Sequence, residues 1–178
     1  MTNTLTFREA TAADIPWLVA LVTRAYRGDA SRKGWTTEAD LLDGQRIDAE
    51  RMQAIIDTPR SLVLVAEQGG EPQACAQVSF EDGAGYFGMF SVEPELQGSG
   101  IGKAVLAEAE RLAQSRWDAT LMRMTVIDVR DSLIAFYERR GYVRTGRHAP
   151  FPYGDSRYGI PKRDDLRFEI LEKVLTDG

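Results

Sequence analysis

Three apolar runs stand almost end to end in the middle of the chain: "SLVLVAEQ", "PQACAQVSFE" and "GYFGMFSV", separated only by "GGEP" and "DGAG". Runs of this length and composition read as strands, and glycine turns this short leave no room for a crossover between them. They form an antiparallel meander. The next segment restricts the fold further. The turn in "VEPELQGSGIGKAVL" feeds a helix from Ile101, whose apolar positions Val105, Leu106, Ala109, Leu112 and Ala113 share one face. "TLMRMTVIDV" then returns as a strand. Strand, helix and strand across residues 84–127 imply a right-handed crossover, and so one parallel pair inside a mixed sheet.

The flanks add layers. "LTFREAT" reads as a first strand. "ADIPWLVALVTRAY" carries Ile15, Leu18, Val19, Val22 and Tyr26 at helical spacing, with Asp14 as the expected N-cap and Pro16 in the first turn, where its missing N–H costs nothing. "DAERMQAIIDTP" is a second helix stopped by Pro59. Late in the chain "SLIAFYERR" is a short helix that Gly141 ends in a left-handed cap, and "GYVRTGRH" and "LRFEILEKVL" complete the sheet. No internal repeat, low-complexity tract or domain boundary is visible. The expectation is a single α+β domain over residues 1–178, long enough to bury about two-thirds of its chain surface.

Composition removes several classes of function. A net charge of -5 argues against a nucleic-acid partner and weakly favours a cationic substrate. The single cysteine allows no internal disulfide, and the start "MTNTLTFREA" lacks the basic and apolar regions of a signal peptide. "WLVALV" is far too short to cross a bilayer. A cytoplasmic protein without a membrane partner is expected.

The glycine turn fails three familiar patterns. A dinucleotide fingerprint needs G-x-G-x-x-G, and Lys103 stands where its last glycine belongs. An NTPase P-loop fails at both ends, at Gln97 and at Ala104, and a nucleophile elbow around Ser99 would need glycines where Gln97 and Ile101 stand. The remaining pattern is Q-x-x-G-x-G, made of Gln97, Gly98, Ser99, Gly100, Ile101 and Gly102, then Lys103, between a strand and a helix. A helix start offers unsatisfied N–H groups and about half a positive charge, which suits a pyrophosphate. Gly98 and Gly100 leave backbone open that a β-carbon would shield, and Lys103 can add a cation. A tight turn that binds nothing is the competing reading.

This motif resembles the central motif of the GNAT superfamily of N-acyltransferases, and "DSLIAFYERRGYVRTG" is similar to the helix and strand that follow the family's fifth strand. The order of elements matches over about residues 4–175. The resemblance implies a three-layer α/β/α fold around a mixed, mostly antiparallel sheet of six to seven strands. It implies acetyl-CoA as cofactor. Phe90, Ser91 and Val92 then lie where a family strand, splayed from its parallel neighbour, pairs with the pantetheine arm. Val92 or a neighbour supplies an oxyanion N–H.

Tyr137 matches the tyrosine that in many family members hydrogen-bonds the CoA sulfur and protonates the leaving thiolate. On spacing alone Leu133, Phe136 and Tyr137 also read as core residues. Asp131 stands where the family often has an asparagine reaching the pantetheine arm; it departs from that pattern and can instead cap its helix. A lysine-like acceptor is neutral only once in ~2,500 molecules at pH 7, a penalty of about 4.6 kcal/mol, so a base or a water chain is expected. Glu81, Asp82, Glu38 and His148 are candidates, and each also reads as an ordinary surface group. Cys75 alternates within a strand and reads as core. With one His and one Cys, a metal site is not expected.

The acceptor cleft of this fold is usually walled by the first two helices and the last strands. Tyr26, Trp35, Glu38, Tyr153 and Tyr158, with Glu81, can form an aromatic, acidic cleft for an amine; equally they can cover the core or a dimer contact. The leading expectation is transfer of acetyl from acetyl-CoA to a primary amine of a small molecule by direct attack in a ternary complex. A catalytically silent acyl-CoA sensor and a protein N-terminal or lysine acetyltransferase are the alternatives. The family's habits add a possible homodimer.

Overall fold

The computed structural model describes residues 5–26, 42–43, 47–93, 100–151, 160–162 and 164–175. Strand β1 (Leu5–Glu9) is followed by a single 3-10 turn at Ala12–Asp14 and helix α1 (Ile15–Tyr26). After a two-residue strand β2 (Leu42–Asp43) comes helix α2 (Ala49–Asp57), then the meander β3 (Ser61–Gln68), β4 (Glu71–Glu81) and β5 (Ala84–Val92). Helix α3 (Ile101–Trp117) crosses to β6 (Leu121–Ile127), and α4 (Asp131–Arg139) leads to β7 (Val143–Pro150), the short β8 (Ile160–Pro161) and β9 (Arg167–Val174).

Local chemistry explains most of these boundaries. Both meander turns carry left-handed residues at their two central positions, Gly69 and Gly70, then Asp82 and Gly83. Such turns match the twist of the strands they join. Asp48 caps α2 by accepting from the Arg51 N–H at 2.8 Å. The expected cap of α1 is corrected. Thr11, not Asp14, is the capping residue of the 3-10 turn that opens this helical stretch. Asp14 sits three residues on and accepts the Thr11 N–H at 2.8 Å, while Arg8 grips both its carboxylate oxygens at 2.8 Å. That pair holds the Asp14 carboxyl down at about 2. Asp131 also does not cap. It is the exposed first residue of α4, with Arg130 at the cap position. Its charge there still favours the helix dipole. Gly141 takes φ 98 after α4, and Tyr142 N–H closes back on the Tyr137 carbonyl at 3.1 Å, the bond of a Schellman cap.

Seven strands form one sheet in the order β1-β3-β4-β5-β6-β9-β7, and β2 pairs with β8 separately. Every neighbouring pair of the large sheet is antiparallel except β5 and β6. One face buries Leu62, Leu64, Ala76, Phe87 and Met124 against Val105, Leu106 and Ala109 of α3 and Leu133 and Ile134 of α4. The other buries Val63, Val65, Cys75 and Met89 against Leu18, Leu21 and Val22 of α1 and Met52 of α2. The result is three layers, α/β/α, around a mixed sheet.

Candidate active site

The parallel pair is short. β5 and β6 share only Gly85↔Met122 and Tyr86↔Arg123, and past Tyr86 the strands part. At the point of parting β5 carries a bulge. Cys75 pairs with Ser91 and Gln77 with Gly88, so Met89 and Phe90 together face Ala76. Met89 takes φ 52, a left-handed conformation costing about 1–2 kcal/mol for a residue with a side chain. The extra residue shifts the alternation of the strand. Phe87, Phe90 and Val92 therefore all lie in the α3/α4 core, whereas Met89 turns to the α1/α2 side. The buried Ser91 hydroxyl donates to the Met89 carbonyl at 3.1 Å and braces the bulge.

Backbone groups of the bulged segment point into the gap. Glu93 N–H bonds the Gln73 carbonyl at 3.0 Å, toward β4. Directions alternate along a strand, so Val92 sends its N–H the other way. Phe90 offers its carbonyl on that same side, where the Tyr26 hydroxyl donates to it. A cavity of about 280 Å³ occupies the gap. Phe87, Phe90, Met124, Val126, Leu133 and Tyr137 line it from the α3/α4 core. Tyr26, Ile47, Arg51 and Ile55 line it from the α1/α2 layer. The cavity therefore draws its walls from both sides of the sheet. At its narrow end the Tyr86 hydroxyl lies 3.2 Å from the Thr125 hydroxyl, bridging the two strands.

Tyr137 satisfies both of its sequence readings at once. Its ring packs edge-on to Phe87 at 6.3 Å, Phe136 at 5.5 Å and Tyr142 at 6.0 Å, and it also lines the cavity. Burial pushes its phenol well above the ordinary value of 10, with Tyr26 adding to the rise and Arg130 opposing it. The group holds its proton throughout the physiological range.

The start of α3 lies beside the same cluster. Gly100, at φ 93, is the N-cap residue; it offers no side-chain cap, and no acidic residue stands in the first turn. The first helical bond there is Ala104 N–H to the Gly100 carbonyl at 3.2 Å, so the preceding N–H groups of Ile101, Gly102 and Lys103 have no partner within the helix. A Cβ on Gly100 would meet open space, whereas one on Gly102 would sit 2.8 Å from Phe90 Cζ. The two glycines serve different ends. Gly100 supplies a left-handed turn below open space, and Gly102 lets the Phe90 ring seat against the helix. Phe90 stacks in turn on Phe136 at 6.1 Å. One aromatic cluster thus fixes the helix start, the bulged strand and Tyr137 relative to one another.

Several expected site residues are not brought to this cavity. Glu81 and Asp82 lie at the β4–β5 turn, which enters β5 at its paired end, away from the bulge; they line a neighbouring groove that shares Ile55 and Gln77 with the cavity. His148 pairs with Glu169 at 3.1 Å, and Glu169 stands opposite Val126 on the α3/α4 face. Cys75 is fully buried and its thiol is pushed up to about 12 by burial, which makes it inert. Trp35, Glu38, Gln97, Gly98, Ser99, Tyr153 and Tyr158 lie outside the described residues. Among the described residues no group of three or more His, Cys, Asp or Glu could hold a metal, and no helix is long and apolar enough to cross a membrane. Sequence reasoning missed Met89, Tyr86, Thr125, Arg51 and Arg130. Gly88 was the available signal for the first two, since a lone glycine inside a strand marks a bulge or a close approach; a Cβ there would sit 2.8 Å from the Tyr86 ring.

The family model "Acetyltransferase (GNAT) family" matches residues 23–142, from α1 to the end of the α4 cap. The chain belongs to the GNAT acetyltransferase family. Solved structures share the GNAT fold along nearly the whole chain. The ribosomal-protein-S18-alanine N-acetyltransferase from Escherichia coli superposes with a TM-score of 0.71 at 15% identity, covering 98% of this chain and 96% of its own. The Salmonella typhimurium protein yncA, solved with its cofactor acetyl-CoA, gives 0.69 at 18% identity over 98% and 96%. A chimeric spermidine N-acetyltransferase from Vibrio cholerae gives 0.67 at 14% identity over 96% and 95%. At these identities the likeness is one of fold. A search of curated protein sequences finds no match. As a GNAT protein, the chain places its splayed strands, bulge and Tyr137 in one cavity.

Proposed function

We propose that this protein transfers the acetyl group of acetyl-CoA to a primary amine of a small molecule by direct attack in a ternary complex. The observation that carries this reading is the cavity between the parted strands, whose walls bring together Tyr137, the bulge of β5 and residues of both helical layers.

The residues present fit acetyl-CoA. The uncapped N–H groups at the start of α3 and the open space over Gly100 suit a pyrophosphate, with Lys103 exposed beside them. Beyond Tyr86 the side of β5 facing β6 has no partner strand, and the Phe90–Val92 segment there is the candidate partner of a pantetheine arm. Bound, acetyl-CoA supplies an acetyl group activated as a thioester, and transfer leaves a free thiol. Tyr137 presents its Oη proton to the cavity from the α4 side. Because burial raises the phenol above 10, the ordinary thiol value near 8.5 lies further below it, and Tyr137 acts as a strong hydrogen-bond donor rather than as a freely ionising acid. The Val92 N–H, on the side of β5 away from β4, is the candidate oxyanion donor. Tyr26 holds the Phe90 carbonyl and so the shape of the bulge.

No aspartate, glutamate or histidine stands among the described lining residues, and Glu38, a candidate base, lies outside them. No cysteine or serine lines the cavity among those residues either, which favours direct attack over an acetylated enzyme. Initial-rate kinetics with varied acetyl-CoA and amine tests this. Intersecting double-reciprocal lines are expected; parallel lines would contradict direct attack, and absence of thiol release with any amine would contradict the transferase reading.

A further inference from the structure

The cavity between the parted strands narrows toward the rung Tyr86↔Arg123, beyond which β5 and β6 no longer pair. Its two faces close there in different ways. Phe87 and Met124 shut the α3/α4 face as members of the packed core. Their strand neighbours Tyr86, Gly88 and Thr125 face the α1/α2 layer, because side chains alternate along each strand. On that face one side chain spans the narrow end. The Tyr86 ring leans along β5 over Gly88, where a Cβ would come within 2.8 Å of its Cε1 and 3.4 Å of its Oη. Its hydroxyl reaches across to β6 and meets the Thr125 hydroxyl at 3.2 Å, a hydrogen bond in which either can donate. Gly88 makes room for the ring and Thr125 pins its end. Tyr86 itself is only partly buried, unlike Phe87 and Met124.

A ligand with its diphosphate at the start of α3 and its arm beside Phe90–Val92 enters from the C-terminal end of β5. Its acyl end then points back along the strand toward the narrow end. Resting on the transferase reading above, we infer that Tyr86 sets the length of acyl chain the protein accepts, admitting acetyl and rejecting longer saturated chains. A longer chain must lift the ring from Gly88 and break its bond to Thr125, or press on the Phe87 and Met124 core. Close-packed interiors take up added methylenes only with strain, so the core offers no easier path than the ring.

Isothermal titration with acetyl-CoA, propionyl-CoA and butyryl-CoA, without an acceptor amine, tests this on wild type, Tyr86→Ala and Tyr86→Phe. Wild type is expected to bind butyryl-CoA at least about tenfold more weakly than acetyl-CoA, with propionyl-CoA between, since one methylene in a closed pocket is worth about tenfold or more. Tyr86→Ala should bring butyryl-CoA to within about threefold of acetyl-CoA, whereas Tyr86→Phe, which keeps the ring, should retain most of the wild-type ratio. Tyr86→Leu shortens the side chain with less loss of packing; it should fall between the two, and serves if the alanine variant does not fold. Wild type that binds the three acyl-CoAs alike overturns the inference and leaves the transferase reading standing. So does a ratio unchanged in the alanine and leucine variants, and so does a ratio relaxed as far by phenylalanine as by alanine. A folded wild type that binds none of the three overturns both.

Discussion

Strand β6 has two unlike edges. Against β9 it pairs along its full length, from Leu121↔Val174 to Ile127↔Phe168. Against β5 it pairs at two positions and then lets go. The closed edge is tied by side chains as well, with Arg123 donating to Glu172 at 2.7 Å and Arg147 joining it at 2.9 Å. The open edge holds the left-handed Met89, the bulge, the Tyr86–Thr125 bridge and the cavity. A strand edge left unpaired inside a sheet is costly unless its N–H and C=O groups find partners. The comparison teaches that this chain maintains an opening against that cost, and braces it with Ser91, Tyr26 and the Phe90 cluster.

The largest effect expected at the open edge is chemical. Tyr137→Phe should lower kcat by about 10²–10⁴ while leaving the thermal midpoint close to wild type, because the ring packing stays and only the hydroxyl in the cavity is lost. Steady-state rates and a melting curve check this together; wild-type kcat in the variant would return Tyr137 to the core alone. Next is the rung where the edges diverge. A Cβ on Gly85 would come 2.7 Å from Met122 Sδ and 3.0 Å from Ala113 Cβ. Gly85→Ala should cost about 1–3 kcal/mol in urea unfolding, through overpacking between β5, β6 and α3.

The closed edge should respond to pH. Burial pushes the Glu172 carboxyl up, but Arg123 and Arg147 together hold it below its ordinary value of 4.5. A carboxyl depressed in the folded state stabilises the fold above its unfolded value and loses that contribution as pH falls through the folded one. Glu172→Gln should therefore be the less stable protein at neutral pH, by less than about 1 kcal/mol, and the two stability curves should converge below pH 4.5. Curves that stay parallel would show that the ion pairs contribute nothing to the closed edge. The smallest effect belongs to Glu81→Gln. At the β4–β5 turn, away from the bulge, it should leave kcat/KM within about twofold, well under the tenfold that about 1.4 kcal/mol produces.

Much of this architecture was legible in the sequence. Apolar runs, glycine turns and helical spacing located the meander, the crossover and the helix that Gly141 ends, because each rests on a local rule. The parallel pair was expected from the crossover, and its splaying from the family resemblance. The features that stayed hidden depend on contacts between distant segments. Nothing local marks Met89 as left-handed, since methionine has no preference for that region. Gly102 read as a phosphate contact because it completes a glycine pattern, yet its Cβ space is taken by Phe90, twelve residues earlier in the chain. No local pattern singles out Arg51 or Arg130, and both line the cavity only through tertiary packing. Glu81 and His148 lie away from the cavity for a reason no local pattern shows, Glu81 at the far end of the β4–β5 hairpin and His148 two strands beyond β6 in the sheet order.

The central claim is that the open edge and the start of α3 together form the acetyl-CoA site. Isothermal titration of acetyl-CoA into wild type and into Gly100→Glu tests it most directly, with circular dichroism confirming that both are folded. The variant places a negative side chain in the open space above the first turn of α3, at a backbone conformation that itself resists a side chain. Binding by wild type that the variant abolishes is the predicted result. A folded wild type that does not bind, or a variant that binds equally well, would contradict the account.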